Sequence, residues 1–436
     1  MIKILDEKNI TPAAKEKVEE ISNLTGVKEV IAFPDVHLKE KYTNLGYRID
    51  IPSSLAILTE NCLYPQFRSR GFNCGMALLK TNLFYENALL PKLEKVLLSF
   101  NKGLVKNLFN YFRFPLKDKF TLSTEEFKKV YLEGSQVIRE KFGLPQNSVF
   151  GQEFKLKKEE LSRFNYAGIN QVWQQGSLRL KRKMGKYFGG NHFLEFQMVD
   201  DIFDQRKAEG WGIKKGQICL LFHTAGDALD DILEKEILKE TIYQPHFMKL
   251  EASSENAQII LKAIKILMNY GFAYRLTTFA ILNGLFVKIF GQEAKLDYFV
   301  DHYHNGIEEI RQDKDNTFFL YRHNVNKVSK DSPVILSGSY NLRSYVSEGR
   351  AGAENFLWSA DHGYGDLIEK FPQTSANLKV KRLLFKKGLN LPFFIKKEEI
   401  PLEYNLAADY LLSLFEKNNI SKRVFALVPI INLKYV

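Results

Sequence analysis

The sequence predicts an α+β fold, with helices and strands in largely separate stretches of one chain. Strand-like apolar runs bounded by glycine turns occupy the second half, at residues 317–321, Pro333–Leu336 and 343–346. Helices and strands do not alternate as regular βαβ units, which argues against a doubly wound sheet. Neither a fixed-period repeat nor a linker rich in Pro, Gly or Ser divides the 436 residues, so one domain over residues 1–436 is expected.

The first predicted elements follow from local signals near the start of the chain. Thr11 before Pro12 is typical of an N-cap and first helical position, and it predicts a short helix that runs through Ile21. The apolar run Val27–Ala32 predicts a strand that ends at the polar group PDVH. A rigid strand that feeds directly into polar side chains is a common way to build a site.

A long helical passage is predicted in the middle of the chain. Ser253 or Ser254 acts as the N-cap before Glu255, and apolar residues then recur at helical spacing. The apolar passage 280–290 is interrupted by one polar and one charged residue, and it is shorter than the ~18–20 residues of a membrane span. We therefore expect a core helix there and no association with a membrane.

The composition favours a polyanionic partner. The chain has 62 Lys and Arg against 51 Asp and Glu, a net charge of +11. Basic residues cluster at Arg179, Lys181, Arg182, Lys183 and Lys186, and again at Lys379, Lys381, Arg382, Lys386 and Lys387. A solvated basic face explains each cluster taken alone equally well. Three cysteines are too few for a disulfide framework, and with no secretory signal visible the protein is expected in the cytoplasm.

The histidines are the most informative residues. Five of the eight follow apolar runs in short polar or glycine-bearing groups: PDVH (His37), GGNHFLEF (His192), LLFHTAG (His223), VDHYHN (His304) and SADHGYG (His362). A single histidine in this setting is usually a hydrogen-bonded structural residue, but five of them weaken that interpretation. Together with Cys74 they offer the ligands that a divalent transition metal prefers. In VDHYHN, His302 and His304 share one face of a strand, and only one need be a ligand.

In this order, these motifs resemble those of the RtcB family of RNA ligases. PDVH resembles the family's MPDVH, RGFNCGM resembles VDIGCGM, GGNHFLEF matches GxGNHFxE, LLFHTAGD resembles LHSGSRG, DHYHN resembles the HN motif, and SADHGYGD resembles CSHGAGR. EIPLEY and the closing NLKYV resemble EIPxAY and the terminal VKG. The resemblance runs from about Ile31 to the C-terminus, except for a poorly matched region, 101–175, that is expected to be peripheral. It implies mixed sheets around a central metal and nucleotide site, with flanking helices.

The resemblance also implies roles for single residues. His362 would be the nucleophile that carries GMP, and Asp35 would orient its ring through a hydrogen bond. The implied ligands of one or two Mn²⁺ ions, or of Zn²⁺, are Cys74, His192, His223 and His304. The implied nucleotide-binding residues are Asn191, Glu195, Ser339, Gly363 and Lys434, with Glu195 and Lys434 facing guanine.

Three positions depart from the family's pattern. Gly71 replaces an aspartate ligand, which implies one metal ion where the family holds two, and Asp227 and Asp366 replace arginines. The resemblance implies a GTP-dependent ligase of tRNA splicing or RNA repair that joins RNA ends bearing a 3′-phosphate or 2′,3′-cyclic phosphate to 5′-hydroxyl ends. The departures keep two alternatives open. One is a metal-dependent phosphatase or cyclic phosphodiesterase, and the other is an RNA-binding relative without catalytic activity.

Overall fold

The computed structural model describes residues 1–38, 51–67, 71–109, 120–144, 156, 184–186, 188, 192–224, 246–311, 316–338, 340–388 and 391–435. The helices are α1 Pro12–Ser22, α2 Leu90–Phe109, α3 Thr124–Glu133, α4 Gln136–Phe142, α5 Gln205–Gly210, α6 Glu255–Phe290 and α7 Leu406–Lys417. The strands are β1 Ile2–Ile4, β2 Val27–Ala32, β3 Leu55–Glu60, β4 Cys62–Leu63, β5 Gly75–Phe84, β6 Phe193–Ile202, β7 Gln217–Thr224, β8 Leu250–Glu251, β9 Leu296–Tyr303, β10 Asn305–Arg311, β11 Thr317–His323, β12 Val325–Lys327, β13 Pro333–Leu336, β14 Ser344–Gly349, β15 Ser359–Asp361, β16 Gln373–Gly388, β17 Leu391–Asn405 and β18 Ser421–Tyr435. Mixed sheets with flanking helices confirm the predicted α+β class.

The largest sheet of the described chain has nine strands. Seven of them run in the order β13-β14-β18-β6-β7-β5-β9, and β16 joins β18 and carries β17 on its other side. The pairs are antiparallel except β16 with β18, which is parallel. Successive side chains of a strand point to opposite faces. Accordingly Met76 and Leu78 pack in one core cluster, and Ala77 and Leu79 pack in another. The sheet is therefore covered on both faces.

The register of this sheet gathers four strand ends at one place. Met76 on β5 lies opposite His223 on β7 and opposite His302 on β9. Phe193 on β6 also lies opposite His223. The first residues of β5 and β6 and the last residues of β7 and β9 therefore meet at one end of the sheet. Cys74 comes directly before β5, so its side chain is delivered to the same end.

A second sheet and a short ribbon bring further loops to this end. The five-stranded sheet has the order β1-β2-β3-β11-β10, and β12 pairs with β15 next to it. Val325 lies opposite Asp361 in that ribbon. Asn324 precedes Val325 and His362 follows Asp361, so the antiparallel pairing sets these two residues side by side.

Helix α6 is one continuous element of 36 residues, and it includes both the helical passage predicted from Glu255 and the core helix predicted at 280–290. Ser254 accepts a hydrogen bond from the backbone N–H of Ala257, and Gly291, at φ +100°, ends the helix. By length and composition α6 is able to cross a membrane, with a mean hydropathy of 1.2 in its most apolar window, but 67% of that window is buried inside the protein. A buried core helix of a globular protein has these same properties.

The described part of region 101–175 differs from the peripheral position expected for it. Helices α3 and α4 pack against α6, and Phe127, Val130 and Ile138 are buried in the same core cluster as the sheet. Apolar side chains on one stripe of each short helix cause this integration. Residues 110–119, 145–155 and 157–175 of the region lie outside the described ranges.

Several local predictions are confirmed. Thr11 caps α1 by accepting from the N–H of Ala14, and Pro12 is its first residue. Strands β2 and β13 have the predicted bounds. Strand β14 begins at Ser344, one residue later than predicted. Boundaries of this kind commonly shift by a residue or two.

Candidate active site

Four of the predicted metal ligands lie together at the end of the large sheet. The Sγ atom of Cys74 is 3.0 Å from Nε2 of His223 and 3.3 Å from Nε2 of His192. Nε2 of His223 is in turn 3.3 Å from Nε2 of His304. All four side chains are buried. Four potential ligand atoms therefore point into one small volume.

These residues fit a transition metal. Ligand atoms around one tetrahedral ion with Cys and His ligands lie about 3.3–3.8 Å apart, as follows from bond lengths of ~2.0–2.3 Å. The ligand atoms of Cys74, His223 and His304 all lie within 4.8 Å of one another. His192 adjoins this group through Cys74 and through the ring of His223, whose centre is 4.9 Å from its own. Zn²⁺ binds both thiolate and imidazole readily, whereas Mn²⁺ prefers oxygen ligands and binds this combination less readily.

The electrostatic environment keeps the histidine ligands neutral. Burial lowers the pKa of His223 and of His304 well below the ordinary value, and the neighbouring histidines lower both further. A neutral imidazole keeps the nitrogen lone pair that a metal ion needs. The unprotonated nitrogens of His223 and His304 are therefore available to bind a metal cation.

His302 does not join this cluster. Its ring bonds the carbonyl oxygen of Pro333 at 2.7 Å, and burial lowers its pKa to about 4. Strand β9 ends at Tyr303, so His304 lies beyond the regular alternation of the strand. Only one histidine of the VDHYHN motif therefore reaches the cluster.

Gly71 has no side chain that could bind a metal, as expected from its replacement of the family's aspartate ligand. It lies at φ +77°, and its carbonyl oxygen accepts the N–H of Cys74 at 2.8 Å. Because glycine tolerates this conformation, the loop before Cys74 turns tightly here. Gly71 therefore adds no ligand to the cluster.

His362 lies against the cluster at the end of β15. The centres of the His304 and His362 rings are 4.2 Å apart, and those of His223 and His362 are 6.3 Å apart. Nδ1 of His362 donates to the carbonyl oxygen of Asn324 at 2.7 Å. A proton on Nδ1 leaves the lone pair on Nε2, which is the tautomer of a nucleophilic imidazole. The ring is partly exposed, so a substrate is able to reach it.

The carboxylate of Asp35 bonds the backbone after HGYG and not the His362 ring, which corrects the predicted hydrogen bond to His362. Its Oδ1 atom instead accepts the backbone N–H groups of Asp366 and Leu367, at 2.9 and 3.3 Å. The Asp35 carboxylate thus stabilises the turn that follows HGYG. The backbone carbonyl of Asn324, in its place, orients the His362 ring. Asp35 therefore fixes the loop that carries His362 rather than the ring itself.

A second buried carboxyl group adjoins Asp35. The backbone N–H of Asp35 donates to Oδ2 of Asp361 at 3.2 Å, and both residues are buried. Burial raises the pKa of Asp361 to about 8, and it raises that of Asp35 well above the usual range with help from the Asp361 charge. Two such groups do not ionise together readily, so one of them holds a proton near neutral pH.

Glu195 and Lys434 face each other across Tyr340. The Glu195 carboxylate is fully buried and accepts the N–H of Tyr340 at 3.0 Å and the side-chain amide of Gln197 at 2.8 Å. Nζ of Lys434 lies 4.7 Å from the centre of the Tyr340 ring, and the Arg382 guanidinium lies 5.4 Å from it. Burial raises the pKa of Glu195 to about 7.

Of the remaining predicted nucleotide-binding residues, only Gly363 lies within the described ranges. Gly363 is described: it forms a bridge with Ser337, and the Ser337 N–H donates to the carbonyl of His362 at 2.9 Å. Asn191, Ser339 and Asp227 lie outside the described ranges. Gly363 therefore holds the His362 loop against β13, and its predicted contact with a nucleotide stays a prediction.

Asp366 lies near one lysine and one histidine. Its Oδ2 lies 3.3 Å from Nζ of Lys370, and its Oδ1 lies 3.9 Å from Nδ1 of His37. Lys370 partly offsets the negative charge that replaces an expected arginine, although an exposed pair of this kind contributes little stability. The local field is therefore less unfavourable to phosphate than the sequence alone implies.

Asn324 was missed by the sequence reading. It supplies the carbonyl that orients His362, and it lies at φ +57°, which is uncommon for a residue other than glycine. An asparagine between a buried strand and VNK was the available signal, because asparagine tolerates this conformation better than most residues. Backbone carbonyls cannot be assigned to partners from sequence, so its function needed the structure.

The comparisons with known proteins agree with this geometry. The family model described as tRNA-splicing ligase RtcB matches residues 17–435. A protein named tRNA-splicing ligase RtcB from Aeropyrum pernix is 26% identical over 83% of this chain and 77% of its own length. The RNA-splicing ligase RtcB homolog 2 of Entamoeba dispar is 26% identical over 95% of this chain and 82% of its own length. A tRNA-splicing ligase RtcB from Pyrococcus furiosus is also 26% identical, but the match spans only 39% of that longer protein.

Proposed function

Since this chain belongs to the RtcB family, we propose that it is a GTP-dependent RNA ligase that works through a His362–GMP adduct. Its RNA substrates carry a 3′-phosphate or 2′,3′-cyclic phosphate at one end and a 5′-hydroxyl at the other. The observation that carries the proposal is the His362 ring, held with its lone pair on Nε2 and 4.2 Å from the ring of His304.

In the first step Nε2 of His362 attacks the α-phosphorus of GTP. An N–P bond forms, the bond to the β-phosphate oxygen breaks, and pyrophosphate leaves. Nδ1 keeps its proton throughout, so the ring becomes positively charged in the adduct. The Asn324 carbonyl, 2.7 Å from Nδ1, accepts a stronger hydrogen bond from that charged ring. The covalent step thereby divides a difficult exchange into easier ones.

The adduct is poised for the second step because a cationic imidazole is a good leaving group. An oxygen of the RNA 3′-phosphate attacks the phosphorus of GMP, and the N–P bond returns its electron pair to Nε2. The 5′-hydroxyl then attacks the activated 3′-phosphate, loses its proton to solvent, and GMP leaves. A 2′,3′-cyclic end must first be opened by water, because only a free phosphate oxygen can attack.

Cys74, His192, His223 and His304 would hold the metal, which we propose to be Mn²⁺, with Zn²⁺ as the alternative. A divalent cation there supplies charge neutralisation for the phosphates beside His362. Burial keeps His223 and His304 neutral, so neither ring serves as a general acid. Their role is to fix the cation next to the nucleophile.

The decisive experiment incubates the purified protein with GTP labelled at the α-phosphate, with Mn²⁺ or Zn²⁺. A covalent adduct that is stable to alkali and labile to acid indicates a phosphoramidate on histidine and supports the ligase. Turnover of RNA phosphate ends without an adduct supports a phosphatase or cyclic phosphodiesterase and contradicts the proposal. RNA binding with neither reaction supports an inactive relative and contradicts it as well.

We expect the adduct to form more readily than RNA ends are joined. The residues of the first step are present in the sequence, whereas Asp366 and Asp227 replace arginines that the resemblance implies for the steps that hold RNA. Loss of one electrostatic stabiliser typically costs ~10²–10³-fold in rate. Adduct yield and joined RNA are compared for the parent, Asp366→Arg, and Asp366→Arg with Asp227→Arg. Joining by the parent that is as efficient as adduct formation, with no gain in the variants, would contradict this expectation.

GTP binding should weaken as the pH falls below about 7. The pKa of Glu195 is raised to about 7, so its carboxylate becomes protonated there and presents a donor to the donors of guanine. Glu195→Gln should abolish this pH dependence and reduce the preference for GTP over ATP about tenfold or more. Competition binding from about pH 6 to about pH 8 measures both effects. Glu209→Gln, on the surface helix α5, is the matched control, and an unchanged preference in Glu195→Gln would exclude this pocket.

A further inference from the structure

Arg275 is a fully buried charge that the proposed reaction does not use. It lies in the middle of helix α6, with an exposed fraction of 0%. Removing an arginine from water is expensive, and buried charges persist only where hydrogen bonds and an opposite charge compensate them. An apolar residue would satisfy the packing of a core helix. The position of Arg275 therefore calls for a specific reason.

Each nitrogen of the guanidinium has a defined acceptor. Nε donates to Oδ1 of Asp301 at 2.6 Å, in an ion pair whose two side chains are both fully buried. Nη1 donates to the carbonyl oxygen of Asn73 at 2.6 Å, and Nη2 donates to Oδ1 of the same residue at 2.8 Å. The Tyr298 hydroxyl donates a hydrogen bond to the other carboxylate oxygen of Asp301, Oδ2, at 3.1 Å. The planar fork of arginine suits this arrangement, and the point charge of lysine does not.

The target of these bonds is the residue directly before Cys74. Asn73 lies at φ +56°, a conformation that costs energy for any residue with a side chain. Its N–H donates to the carbonyl of Asn305, and the N–H of His304 donates to the carbonyl of Cys74 at 2.9 Å. A Cβ atom added to Gly75 would lie 2.9 Å from the guanidinium. Arg275 thus contacts the backbone on both sides of the cysteine.

We propose that Arg275 is a positioning residue of the metal centre. It holds the backbone of Asn73 in its left-handed conformation, and thereby aims the Cys74 sulfur at His223 and His304. The inference rests on the metal cluster of the proposed function, but it involves neither GTP nor RNA. A purely structural role for Arg275 would lower the stability of the whole protein without changing the geometry at sulfur.

Cobalt titration of Arg275→Lys tests this role. Co²⁺ is the probe, because a bound thiolate gives a charge-transfer band in the near ultraviolet whose intensity reports the Co–S bond. We expect the variant to bind Co²⁺ about 10- to 100-fold more weakly, the usual cost of losing a partner that orients a ligand. We also expect a weaker band per bound ion. Thr278→Val, which removes a buried hydroxyl from the same helix, is the matched control and should keep both values.

Asn73→Gly provides the second variant, in case Arg275→Lys does not fold. Glycine keeps the left-handed backbone without strain, but it removes the Oδ1 that Nη2 binds. A smaller loss of Co²⁺ affinity is expected, and the double variant should lose less than the sum of the two single losses. Folding is followed by circular dichroism.

Two results would overturn the role of Arg275: parent-like Co²⁺ binding in folded variants, or a parent that binds Co²⁺ without a thiolate band. A parent that shows the band but forms no adduct with GTP contradicts the proposed function and leaves this inference standing.

Discussion

Replacing His362 by alanine should abolish the transfer of GMP from labelled GTP to the protein. The nucleophile is then missing, and no other described histidine near it has a comparable position, because His223 and His304 point Nε2 into the cluster. Removal of a covalent nucleophile typically costs more than ~10⁴-fold in rate. Adduct formation is measured by gel autoradiography or by the mass of the intact protein. The side chain is partly exposed, so folding should be preserved.

His246→Ala is the matched control for this experiment. His246 is exposed and lies away from the cluster, so its replacement should leave the adduct yield unchanged. Parent-like labelling of His362→Ala would show that another residue accepts the nucleotide. Peptide mapping of the labelled protein would then identify the residue that replaces it.

Replacing Cys74 by alanine should remove most of the metal from the purified protein. Sγ of Cys74 lies within 3.3 Å of both His192 and His223, so it joins the two parts of the ligand set. Gly71 adds no side chain that is able to compensate. We expect a loss of affinity of more than ~10²-fold, which exceeds the usual cost of losing a residue that only orients a ligand. Elemental analysis and a competition titration with a chelator measure it.

Cys219→Ala separates this effect from the general loss of a buried sulfur. Cys219 lies on β7, four residues before His223, and is as buried as Cys74 but packs in an apolar cluster. Its replacement should cost about 1 kcal/mol of stability and leave metal content unchanged. Equal metal content in Cys74→Ala and Cys219→Ala would remove Cys74 from the ligand set.

The sequence was sufficient to predict strand β2 before PDVH and the residues that meet at the site, but the strands β5, β6, β7 and β9 that carry the cluster were not predicted. The apolar run before His223 belongs to β7, which is buried at every residue, and a strand buried on both faces is apolar throughout. Cys74, His192, His223 and His304 were also proposed together, and they do lie together. The resemblance to the RtcB family supplied this set of four, whereas residue type alone offered five histidines and Cys74.

Other features depend on pairings that no local pattern encodes. The order of strands in the nine-stranded sheet joins segments more than a hundred residues apart, so the register that aligns Met76 with His223 is visible only in the fold. The same limit explains Asp35, whose carboxylate serves the backbone of Asp366 instead of the His362 ring. A lone arginine within the apolar run around Arg275 was visible, but its partner Asn73 was not.

Strand β18 has a consequence for how this protein is made. It lies between β14 and β6 in the large sheet, yet it is translated after every other strand of that sheet. Until then β14 and β6 have unpaired edges, which are templates for pairing with other chains. Closure of so many long-range pairings is intrinsically slow, and the incomplete chain is exposed to aggregation during synthesis. Nascent chains arrested before residue 421 should therefore be protease-sensitive and in need of chaperones, and metal should bind only after release.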